Sequence, residues 1–166
     1  LVLADELDAK GTPRERLNQR RDVVMRIERF WVLGCALASE SASLSNAGLR
    51  GIRYVSVARQ KLAEARETDA DYRLLSRQST YGLLGIYGNV ADDLRLVASD
   101  TLTLNADLGV RLGKAFLDET EAPAALRTAI VERGNVRVSA LAEWGQRAHV
   151  SARPRARAGE QRALGE

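Results

Sequence analysis

One histidine, His149, and one cysteine, Cys35, are all that the chain offers for imidazole or thiol chemistry. A Ser-His-Asp or Cys-His arrangement needs a base that orients and deprotonates its nucleophile. His149 is the sole candidate base. It falls near the end of the last expected helix, beside a basic tail, where a surface or capping role is expected. Cys35 lies in the apolar run 30–38 and reads as a buried core thiol. A single cysteine also rules out an internal disulfide and fits a reducing compartment. A metal site needs several His, Cys or carboxylate groups that converge, and no such cluster is visible. Asp92 and Asp93 are adjacent, so on a helix they diverge by about 100° and form no catalytic pair. Gly82, Gly85 and Gly88 recur every third residue. That is neither a P-loop nor the dinucleotide fingerprint, because the spacing differs and no strand precedes it. The expectation is a chain without catalytic residues, metal or cofactor.

The remaining chemistry is that of the guanidinium group. The chain has 25 basic and 22 acidic residues and a net charge of +3. Lys10, Lys61 and Lys114 are its only lysines, so 25 − 3 leaves 22 arginines. The planar fork of arginine suits phosphate and carboxylate, although a GC-rich coding bias produces the same composition. The run Arg77-Gln78-Ser79-Thr80-Tyr81 is the best candidate for recognition. Arg and Gln can bond guanine and adenine edges bidentately, while Ser, Thr and Tyr can hold phosphates. Asn89 follows two turns on. Arg50 and Arg53, with Arg20, Arg21, Arg153, Arg155 and Arg157, can add phosphate contacts. The plainer reading is that these are the polar residues any exposed turn carries.

The elements that position these groups follow from periodicity. Hydrophobic residues make up 45% and aromatics 5%, so Leu, Val, Ile and Ala must build the core of a mostly α protein. Thr12, Pro13 and Glu15 mark a helix start with a capping box, and the helix is expected to run to about Ala38. Leu17, Val24, Ile27, Trp31, Cys35 and Ala38 form its buried stripe, and Arg14, Arg16, Arg20, Arg21, Arg26 and Arg29 point outward. Residues 39–45 read as a loop, 47–66 as a second helix and 67–71 as a polar linker. Asp71 caps a short helix to Gln78. Ser79 and Thr80 make a turn, and a longer helix spans 81–97 with Leu84, Tyr87, Val90, Ala91, Leu94 and Val97 inward. Its three glycines imply close approach of another backbone, by tight helix packing or towards a ligand or DNA. Residues 101–104 alternate as a strand, Asn105 caps a helix over 106–118, and helices follow over 124–133 and 139–148 with an extended piece at 136–138. The division is a helical extension over 1–70, a central unit over 71–120, helices packing on it over 121–150, and a disordered basic tail over 151–166. No apolar run approaches the ~18 residues that span a bilayer, and no signal peptide is visible. No membrane partner and a cytoplasmic location are expected. The chain starts on Leu1, as an excerpt of a longer protein would.

Leu94-x-Leu96-Val97, a short gap, then Leu102-Thr103-Leu104, Gly109, Leu112 and Phe116-Leu117 resemble the end of the winged helix-turn-helix domains of MarR- and PadR-type regulators. The resemblance covers residues 72–117. It implies a helical bundle around a winged-helix-like unit, with 81–97 as the reading helix and Arg77, Gln78, Ser79, Thr80, Tyr81, Asn89, Arg50 and Arg53 at DNA. The gap from Val97 to Leu102 leaves room only for a minimal β wing. Over 71–117 five basic residues meet five acidic ones, fewer cations than a DNA surface usually has. The implied function is non-enzymatic DNA association, as a regulator or a subunit of a DNA-acting complex. The alternative is a protein-interaction or scaffolding module, with a protein partner or a second copy, that does not itself touch DNA.

Overall fold

Thr12 and Glu15 close the capping box that their types and spacing predict. In a computed structural model, which describes residues 2–5, 7, 9–42, 51–62, 64–98 and 100–149, the Thr12 N–H donates to Glu15 Oε2 at 2.7 Å and the Glu15 N–H donates to Thr12 Oγ1 at 3.3 Å. The bond from the Thr12 backbone, followed by that from its hydroxyl, holds the Glu15 carboxyl below its ordinary range. A depressed carboxylate stabilises above its unfolded pKa and loses that contribution as pH falls through its folded one. After the short helix α1 (Val2–Asp5), this box starts α2 (Pro13–Ala42). The helix runs through part of the Ser-rich segment expected to be a loop, because extending an established helix costs far less than starting one.

Helix α2 is the spine. Val23, Val24, Phe30, Leu33, Cys35 and Ala36 are buried along it. Arg26, expected to point outward, is buried too. Its Nε donates to the Ile130 carbonyl at 2.5 Å and its Nη2 to that of Val131 at 3.1 Å. These carbonyls belong to the last turn of α7 (Ala124–Glu132), where backbone acceptors have no helical partner. Asp22 pairs with Arg26 at 2.8 Å. Burial pulls the Arg26 pKa below its ordinary value, and Asp22 opposes that shift.

The most extensive helix pairing is between α2 and α8 (Val138–Ala148). It depends on two glycines. A Cβ on Gly34 would lie 3.0 Å from the Leu141 carbonyl oxygen, and one on Gly145 would run into the Gly34 carbonyl. The backbones cross where neither has a side chain.

Helix α3 (Ile52–Lys61), shorter than expected, also packs on α2. The polar linker of the sequence reading contains a strand instead. β1 (Glu67–Thr68) pairs antiparallel with β4 (Val136–Arg137), with Thr68 opposite Val136. Residues 71–77 hold no helix, so the first helix of the expected helix-turn-helix is missing there. An Asx turn, in which Asp69 Oδ1 accepts the Asp71 N–H, and the Tyr72 hydroxyl bonded to the Arg29 carbonyl at 2.6 Å hold this segment as irregular chain. Helix appears only at α4 (Gln78–Tyr81) and α5 (Leu83–Asp93), interrupted at Gly82. β2 (Val97–Ala98) and β3 (Thr103–Leu104) then form the minimal hairpin, with Val97 opposite Leu104, and α6 (Leu108–Glu119) leads to α7. The molecule is thus mostly helical, with two two-stranded ladders among the described residues. One core cluster joins Val24, Phe30 and Leu33 of α2 to Leu117, Leu126, Ile130 and Trp144 of the later helices. No described helix is long and apolar enough to cross a membrane. Arg50, the tail arginines and residues 43–50 lie outside the described residues.

Adding one methyl group at two glycines should give opposite results in urea unfolding. Gly145→Ala forces α2 and α8 apart and should cost about 3 kcal/mol. Gly88→Ala, in α5, meets nothing within 4 Å and should stabilise by up to about 1 kcal/mol, the difference in helix propensity.

Candidate functional site

The junction of α4 and α5 is built on Glu28, an acidic residue buried on α2. Its Oε1 accepts the Leu83 N–H at 2.9 Å, and its Oε2 accepts the Gln78 side-chain amide at 2.8 Å. The carboxylate therefore satisfies an orphan donor at the start of α5 and complements the positive end of that helix. The Gln78 amide also donates to the Met25 carbonyl at 2.9 Å. Gly82 is needed here, since its Cβ would lie 2.6 Å from Glu28 Oε2 and would meet the Gln78 carbonyl. A Cβ on Gly85 would strike the backbone of Thr80. Two of the three periodic glycines thus serve close approach within this junction, and the third, Gly88, faces open space.

The residues expected to face DNA separate into three groups. Arg77, Ser79, Thr80, Tyr81 and Asn89 are exposed along α4 and α5, and Arg53 is exposed on α3. Gln78 is half-buried with its amide bound to Met25 and Glu28, so it is part of the frame rather than of the outer surface. Arg50 is not among the described residues. Arg20 ties the hairpin to α2 by donating to the Thr101 carbonyl at 3.1 Å. The expected inward stripe of the longer helix is a further correction. Leu83, Tyr87, Val90 and Leu94 are 39%, 56%, 51% and 61% exposed. Their spacing of four, three and four places them on one face, and that face is turned outward. Only Leu84, Ile86, Gly88 and Ala91 of α5 are partly covered. Asp92 and Asp93 end the helix, also exposed, and α5 contains no basic residue.

Behind α5 lies an apolar cavity of about 590 Å³, bounded by α1, α2, the hairpin and α6 to α8. Trp31, Leu104, Leu112, Phe116 and Trp144 supply much of its wall, and Glu28 and Arg127 are the only charged residues lining it among the described residues. An empty sealed void costs ~24 cal/mol per Å³, which for this volume is on the order of 10 kcal/mol. That rivals the ~5–15 kcal/mol by which whole domains are stable. The cavity avoids that cost because it is open on one side, and the partly exposed Leu83 and Arg127 mark its rim. A second cavity of about 200 Å³ is polar. Asp22, Asp69 and Asp71 face Arg26, Arg29 and Arg133 there, with Asp22 bridging Arg26 and Arg133. Its charges balance, as in a structural joint between α2 and the turn after β1.

No group of His, Cys, Asp and Glu among the described residues could hold a metal. Cys35 is buried, as its neighbours predict. His149 is buried rather than on the surface, because the end of α8 tucks against α2, where Trp31 Nε1 donates to the Ala148 carbonyl at 2.9 Å. Sequence reading passed over Glu28. Its signal was its position: Val24, Glu28, Trp31 and Cys35 are spaced four, three and four, so it sits on a buried stripe. No family model, curated protein or solved structure matches the chain, and the functional reading therefore rests on this geometry.

Glu28→Ala leaves the Leu83 N–H without its acceptor and the Gln78 amide with Met25 alone, and should cost about 2 kcal/mol. Hydrogen exchange should show the loss first at the amides of Leu83 and the following turn of α5.

Proposed function

We propose that the protein is a non-enzymatic interaction module that lays α5 into an apolar groove of a protein partner. The observation that carries this reading is the outward stripe of Leu83, Tyr87, Val90 and Leu94. A helix anchored at its first turn, with four large apolar side chains in solvent, suits helix-in-groove recognition. Charge defines the rest of the partner. Asp92 and Asp93 precede Leu94, the last side chain of the stripe, so the groove has a basic rim at the end that receives them. The same carboxylates, with no cation on the helix, oppose the insertion of α5 into a phosphate-lined DNA groove.

A photo-crosslinking residue in place of Tyr87, in cells producing the chain, should trap this partner as a defined adduct. The purified partner should then bind with Leu94→Asp weakening it about a hundredfold, and paired Asp92→Lys and Asp93→Lys weakening it too, while circular dichroism stays unchanged. Undiminished binding by Leu94→Asp would end this reading. An adduct of two identical chains would make the partner a second copy.

DNA association is the second reading. Arg77, Ser79, Thr80 and Tyr81, exposed together at the start of the α4–α5 unit, and the implied winged-helix resemblance favour it. Anisotropy of a labelled random-sequence duplex separates the two. On the first reading no binding survives moderate salt. Binding that collapses as salt rises, weakens in Arg77→Ala and is unaffected by Leu94→Asp would establish DNA as the partner instead.

A further inference from the structure

We infer that the cavity behind α5 is a binding site for a single-chain fatty acid, with the alkyl chain inside and the carboxylate on Arg127. The inference is independent of the docking proposal. Ligand sites typically enclose roughly 300–1,000 Å³ and pair apolar walls with a few placed polar groups. This cavity, about 590 Å³, meets that description. Its two charged residues differ in availability. Both Glu28 oxygens are engaged, by Leu83 and Gln78, so that carboxylate is part of the wall. Arg127 stands at the rim. Its Nε is anchored to the Ala122 carbonyl at 3.2 Å, and Ala122 itself lines the cavity. Its Nη2 is 4.0 Å from Asp118 Oδ1, whose side chain is largely exposed. A pair so long and wet is weak, and a ligand carboxylate arriving from the cavity side can make the charge-assisted, two-pronged contact that Asp118 does not. Among the described lining residues a cationic ligand meets only the Glu28 carboxylate, whose two oxygens already accept bonds. A neutral hydrocarbon would leave the rim guanidinium unused.

The two tryptophans of the chain, Trp31 and Trp144, both line the cavity, so intrinsic fluorescence reports on its contents. Purified protein titrated with dodecanoate should give a saturable change at micromolar ligand, below the concentration at which micelles form, and a rise in Tm. Dodecanol, with the same chain and no charge, should bind at least about tenfold more weakly, and Arg127→Ala should bring dodecanoate down to the dodecanol level. Leu112→Phe and Ala91→Phe, two independent variants that fill the space, should each weaken both ligands with the fold retained by circular dichroism. Absence of saturable binding by the parent protein would overturn the inference. So would equal affinity for acid and alcohol, or filling variants that fold and bind dodecanoate as before.

Discussion

The crossing of α2 and α8 at Gly34 and Gly145 is the contact on which the remaining geometry depends. Two helices approach this closely only where neither backbone carries a side chain, and here each glycine faces the backbone of the other helix. Once α8 is fixed at that depth, its neighbours follow. Trp31 reaches the Ala148 carbonyl at the end of α8, and Trp144 Nε1 donates to Thr120 Oγ1 at 3.1 Å, tying α8 to the end of α6. Arg147 Nε donates to the Thr120 carbonyl at 2.8 Å and strengthens the same joint. β4 runs directly into α8, so the crossing also places the strand that pairs with β1 and draws the segment after α3 back onto the core.

Two buried charges on α2 then set the flanking helices. Arg26 and Glu28 are two residues apart and so point about 200° apart around the helix. Arg26 takes the terminal carbonyls of α7, and Glu28 takes the first amide of α5. Each charge has the sign that the helix end it meets requires. Each is also hydrogen-bonded, the condition under which a buried charge is tolerated. α7 also buries Leu126, Ala129 and Ile130 in the core, whereas α5, held at its first turn, leaves its stripe of Leu83, Tyr87, Val90 and Leu94 exposed.

That attachment explains why the most apolar face of α5 is outward and why space remains behind it. A helix fastened mainly at its first turn, with glycines at its start, need not collapse onto the core. Its stripe becomes a surface for a partner, and the gap becomes a cavity with the weakly paired Arg127 guanidinium at its rim. Surface and cavity meet at Leu83, which is exposed and also lines the cavity. The two proposals therefore concern opposite sides of one element.

Much was legible from local signals. Thr12, Pro13 and Glu15 specify the start of α2 because a capping box uses only groups three residues apart, and the buried stripe of that helix follows from its period. The minimal hairpin after α5, the mostly helical class and the buried Cys35 are local consequences of the same kind. Tertiary structure decided the rest, because the deciding partners lie far apart in the chain. Arg26 looked like a surface cation, and the ends of α7, over a hundred residues away, turned it inward. Glu67 and Thr68 looked like a linker until Val136 and Arg137 offered them a strand. Tyr87, Val90 and Leu94 have the spacing of a buried face, yet periodicity states only that apolar side chains share a side. Which side meets the core was set by Glu28 and the glycines that fix the angle at which α5 leaves it.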